Sequence, residues 1–141
     1  MSYITNIDVI DEIGGSARVL EAIDDDNTGA MDADNVARLN RIIQTASNAV
    51  DGYLAGRYII PLSVVPPLVL EATLVFACEK LFGRRRQGPD EKNPYTARAT
   101  DMRNRLKRIS DREESLDAVE RPAFVPGAII ARPSALEGSS L

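Results

Sequence analysis

ADNVARLNRIIQTASNAVDGYLAGR, residues 33–57, decides the fold. Its apolar side chains fall at Val36, Leu39, Ile42, Ile43, Ala46, Ala49, Val50, Tyr53 and Leu54, in steps of three and four. That spacing lays one continuous stripe along a helix. Asp32 is placed to cap its start. At 1.5 Å per residue, about 25 residues span roughly 37 Å. Gly52 and Gly56 thin the last turns. They either admit a neighbouring backbone or loosen the exit, each at about 1 kcal/mol relative to alanine. Pro61 stops any continuation.

Upstream, residues 4–13 set Ile4, Ile7 and Ile10, with Val9, on one side of a short helix capped by Thr5 or Asn6. Gly14 and Gly15 end it, and Ser16 caps a second short helix. Downstream, Pro67 suits the first turn of another helix and Gly83 its C-terminal cap. Leu68, Leu70, Ala72, Leu74, Val75, Phe76, Cys78, Leu81 and Phe82 cover most of its circumference. Such a helix is central, or is wrapped by more than one neighbour, and Cys78 packs in it as a small apolar residue. Asn93 as cap and Pro94 at the first position open a last helix. Tyr95, Met102, Leu106 and Ile109 form its narrow apolar stripe, and Arg98, Arg103, Arg105, Lys107, Arg108 and Arg112 occupy its other faces.

The predicted fold is therefore all-α: a small helical bundle with a long central helix, two further main helices, short N-terminal helices and an extended C-terminal arm. The helical domain takes residues 1–118 and the arm residues 119–141. From Arg121 the sequence RPAFVPGAIIARPSALEGSSL carries three prolines, two glycines and no helical period. Phe124, Val125, Ile129 and Ile130 are nonetheless side chains that a solvated tail does not need. The expectation is an arm that lies on a partner through these four residues, the alternative being an arm folded back on its own domain.

Composition narrows the function. The 141 residues suit one domain. Histidine is absent and Cys78 is the one cysteine, so the commonest general base, the usual zinc ligand and an internal disulfide are all missing. There is no Ser-His or Cys-His pair and no phosphate-cradling glycine loop, so neither an enzyme nor a cofactor is expected. The start lacks a basic and apolar leader, and the run ATLVFAC is far shorter than the ~20 residues that span a bilayer. A protein made in the cytoplasm, without a membrane partner, is expected. The net charge of −4 is too mild to mark a nucleic-acid binder. Its distribution is uneven: residues 1–57 hold 10 acids and 4 bases, residues 80–112 hold 4 acids and 11 bases. Such asymmetry favours head-to-tail contact between copies. Arg84, Arg85 and Arg86, in GRRRQG, could touch phosphate or pair with the acidic half of a neighbouring copy. No aromatic residues are interleaved there for stacking on single-stranded nucleic acid.

The stretch DDDNTGAMDADN, residues 24–35, asks whether a cation binds. Aligned on a calcium loop with Gly29 at the sixth position, Asp24, Asp26, Thr28 and Asp32 fall on ligand positions. The closing bidentate glutamate is replaced by Asn35. Two readings stay open: an acidic turn in which Asp32 caps the long helix, or a weak structural cation site. The second would make the chain a calcium-dependent binding module. A small DNA-binding regulator using residues 94–112 is a third class of function.

Residues 50–69, VDGYLAGRYIIPLSVVPPLV, carry a further signal. Asp51, Gly52, Tyr53, Leu54, Arg57, Tyr58, Pro61, Leu62, Pro66 and Pro67, followed by Phe82, Gly83 and Arg84, resemble the Mu-like phage and prophage family of small head–tail connector, or head-completion, proteins. The likeness covers roughly residues 3–118 and leaves the tail from Arg121 unmatched. It implies a virion part at the head–tail neck: a ring, commonly of twelve copies, below the portal protein, which extends the DNA channel and joins tail or neck proteins. DNA would pass without sequence-specific binding, past part of the acidic N-terminal half, while residues 94–112 face neighbours or portal. The block around Tyr53, Arg57 and Tyr58 is expected to be structural, with Arg57 bonded to loop carbonyls near Pro61. A direct partner contact is the alternative.

Overall fold

The computed structural model describes residues 2–84, 92–116, 118 and 120. Among them are five helices: α1 (Asn6–Ile13), α2 (Ser16–Ile23), α3 (Ala33–Leu54), α4 (Pro67–Arg84) and α5 (Thr96–Ser110). The chain is an all-α bundle, with one isolated antiparallel bridge between Tyr58 and Glu120.

The long helix is 22 residues, begins at Ala33 and is capped by the Asp32 side chain, which accepts from the Asn35 amide at 3.0 Å. Leu39, Ile42, Ile43, Ala46, Val50 and Leu54 are buried along its stripe. Ala49 is exposed, and Asn35 and Ser47 are buried polar residues that apolar periodicity passes over. A Cβ at Gly52 or Gly56 would meet nothing within 4 Å, so no backbone of this chain approaches either glycine among the described residues.

Helix α4 packs against all four other helices, as its nearly all-round apolar surface requires. Its C-terminal end meets the last turn of α2, where Arg84 Nε donates to the Ala22 carbonyl at 3.2 Å. Gly83 does not cap this helix; the helix continues through it to Arg84. Cys78 is fully buried, and burial pushes its thiol up to about 12. Helix α5 lies against α3 and α4. Asn93 accepts from the Tyr95 amide at 3.0 Å and closes a turn, so the helix starts at Thr96, two residues after Pro94. Leu106 and Ile109 are buried as the stripe requires, with Ala99 between them and Tyr95.

The short helices depart from expectation in detail. In α1, Val9 and Ile13 face the core, while Ile7 is 64% exposed. Helical phase begins only at Asn6, and Ile7 sits about 200° from Val9 at 100° per residue. Ile4 reaches the core from the segment before the helix. Thr5 and Asp8 form a capping box. Ser16 is the first helical residue of α2, whose N-cap is Gly15 at φ 128°, with no side-chain cap.

Candidate assembly surface

The 50–62 block closes one end of the bundle. Asp51 accepts a short hydrogen bond from the Tyr3 hydroxyl, which also accepts from the Leu62 amide at 3.3 Å. Burial and the Asp51 carboxylate push the Tyr3 phenol up to about 12. The N-terminus, the end of α3 and the Pro61 loop are thereby tied together, and the Ile60–Pro61 peptide bond is cis. Tyr53 is half-buried and Leu54 and Tyr58 are buried. The half-buried Asp51 and exposed Gly52 and Pro61 complete the block.

Arg57 does not bond carbonyls near Pro61. Its guanidinium donates to the Ile109 carbonyl at 2.8 Å, to the Glu114 carbonyl at 2.5 Å and to Ser115 Oγ at 2.9 Å. It lies 3.4 Å from Glu120 and 5.2 Å from the centre of the Tyr58 ring. The last carbonyls of a helix lack intrahelical partners, and a cation satisfies them. Tyr58 adds its hydroxyl, which accepts from the Leu116 amide at 2.9 Å. The two residues thus clasp Ile109, Glu114, Ser115, Leu116 and Glu120, just before the predicted arm. Sequence spacing could not reveal this, because Arg57 and Ile109 are 52 residues apart.

The 24–35 turn closes on itself. The Asn35 side-chain amide donates to Asp24 Oδ1 at 3.0 Å and to the Ala30 carbonyl at 2.9 Å. The Gly29 and Thr28 amides also donate to Asp24, at 2.7 and 2.9 Å. Together, Asn35 first, these bonds hold the Asp24 carboxyl down at about 2. Asp25 and Asp26 face Arg38 at 3.3 and 2.7 Å. The residue that spoils the calcium pattern is therefore the internal donor that completes the turn. Among the described residues no group of three or more Asp, Glu, Cys or His side chains is placed to hold a metal ion.

Arg84 pairs with Asp25 of its own chain at 2.8 Å. Arg85, Arg86, Phe124, Val125, Ile129 and Ile130 lie outside the described residues. The arginines of α5 are also engaged within the chain: Arg98 with Glu12, Arg103 with Glu79, and Arg105 and Arg108 with Glu114. Arg112 beyond it faces Glu120 at 3.6 Å. Two of these pairs, Arg84 with Asp25 and Arg98 with Glu12, join the basic stretch to the acidic N-terminal half. Apolar surface is also offered for contact. Ile59 and Val64 stand exposed in the connection after α3, and a groove of about 620 Å³ opens among α3, α4 and α5, over Ala49, Tyr53, Phe76, Lys80 and Arg103. Among the described residues no helix is long and apolar enough to cross a membrane.

This helical unit is a Mu-like bacteriophage protein. The family model described as Bacteriophage Mu, Gp36, matches residues 3–128, and the chain belongs to that family. The match runs past residue 118, where the likeness was expected to end, and takes in Phe124 and Val125 of the arm. No curated protein matches the chain.

Proposed function

We propose that the chain is a structural virion subunit, a head–tail connector that assembles as a ring below the portal and presents a platform to tail or neck proteins. A phage structural or assembly role is the coarse reading that family membership supports. The observation that favours a connector is the clasp: Arg57 and Tyr58 fix the start of the arm on a rigid bundle. An apolar arm held at its root and a body with exposed apolar side chains suit heterologous contact between copies and with unlike partners. No catalytic role and no cofactor form part of this reading. The protein would reside in the neck of the virion, after synthesis in the host cytoplasm.

The rival classes have less support. A calcium-dependent module needs acids that Asn35, Arg38 and Arg84 already engage. A DNA-binding regulator needs free cations on α5, where Arg98, Arg103, Arg105 and Arg108 face carboxylates. The same pairing fits a helix that faces neighbours rather than a DNA channel; a ring with these arginines lining the lumen would refute that placement.

The test is a block in expression of this gene during phage growth, with particles viewed by electron microscopy. Filled heads and finished tails accumulating unjoined are expected. Normal infectious particles would remove the connector reading.

A further inference from the structure

Three observations at the clasped end converge on one surface. The first is direction. The Tyr58–Glu120 bridge is antiparallel, so at Glu120 the chain runs opposite to the segment leaving α3. A chain continued in that direction would pass Arg57 and Gly56 toward the end of α3. The second is the surface it meets there. Gly52, Ala49 and Thr45 share one face of α3, with Gly56 in the turn just past its end; all four are exposed, and a Cβ on either glycine would meet nothing within 4 Å. The third is the groove this face leads into, whose floor is Ala46, Ala49, Tyr53 and Phe76.

The chain beyond Glu120 supplies the occupant. Twenty-one residues remain, 121–141. An extended chain advances at most about 3.3 Å per residue, which sets the reach from Glu120 at about 13 Å for Phe124 and about 33 Å for Ile130. Ala49 lies five residues before Leu54, the last residue of α3, about 7.5 Å along the helix axis. The apolar side chains of the arm are thus within reach of the groove. Pro122 and Pro126 bar a helix between them and favour an extended strip. A tether this short gives the segment an effective concentration that a second molecule in dilute solution does not match.

We propose that residues 124–130 of the arm dock in the α3–α4–α5 groove of their own chain, laying Phe124 and Val125 over the face of Ala49 and Gly52. The free subunit then shelters its four arm side chains in its own groove, and a partner that draws the arm out uncovers both surfaces at once. The inference does not depend on the connector reading.

The test uses the full chain carrying Ala49→Cys and Ala123→Cys, joined by a short bismaleimide. Cys78 is buried and does not compete. A cross-link within the monomer, unchanged on dilution, is the expected product. Covalent dimers, or no product, would overturn the proposal. A second measurement uses full-length Phe124→Ser/Ile129→Ser, whose substitutions lie outside the described core. The amide NMR signals of Ala49, Gly52 and Gly56 should shift from those of the parent, and coincident spectra would overturn docking in the chain's own groove.

Discussion

Arg57 donates to the main-chain carbonyl of Ile109 across 52 residues, at 2.8 Å. One buried guanidinium there serves the end of α5 and the Glu114 carbonyl together. Lysine cannot reproduce this, because its single ammonium lacks the planar fork of donors. Arg57→Ala should cost about 3 kcal/mol by removing the guanidinium's bonds to the Ile109 and Glu114 carbonyls and to Ser115. Arg57→Lys should recover less than half of that in urea unfolding. A loss for the alanine variant under about 0.5 kcal/mol, the range of an ordinary surface change, would show the clasp to be inert.

The Asp24 carboxyl gives the turn an acid signature. Its folded pKa of about 2 lies below the usual 3.8, because Asn35 and the Gly29 and Thr28 amides bond the ionised form. A lowered folded pKa stabilises fully above the unfolded value and is lost as pH falls through the folded one. Stability should therefore drop between pH 4 and pH 2, and less steeply in Asp24→Ala than in the parent. Circular dichroism across that range decides it; parallel curves would rule the turn out as the cause.

Asn35 should make the turn indifferent to calcium. Its side-chain amide is fully buried and already joins Asp24 to the Ala30 carbonyl. Asn35→Ala should cost about 2 kcal/mol, while millimolar calcium leaves the Tm of the parent unchanged. A rise of several degrees with micromolar calcium would instead indicate a linked cation site.

Helical phase in α1 is tested by two neighbours. Val9 is fully buried and Ile7 largely exposed. Val9→Ala should cost about 2 kcal/mol, and Ile7→Ala less than about 0.5 kcal/mol. Thermal unfolding separates them, and equal losses would place Ile7 in a contact that the isolated chain lacks.

Much of the fold is legible in local pattern. Asp32, the Leu39–Leu54 stripe and the apolar circumference of α4 are set by neighbours three and four residues apart, so their helices can be read without knowing what packs on them. The exceptions fall where phase begins late. Ile7 leaves the expected side because Ile4 precedes the helix, and Asn93 and Pro94 form a turn before α5 rather than its first residues. Asn35 is legible as a departure from a calcium pattern, but its role requires knowing that its amide points at Asp24.

The sequence by itself determined the helices, the all-α class and the family, because periodicity, caps and a local motif act over a few residues. Only the tertiary structure decided that Arg57 clasps α5, that Arg84, Arg98 and Arg103 face carboxylates of other elements, and that α3 offers a bare face beside a groove. Arg57 and Ile109 lie 52 residues apart, Arg84 and Asp25 59, and Arg103 and Glu79 24. A one-dimensional charge count or hydrophobic stripe carries no information about which distant carboxylate or carbonyl will complete a given side chain.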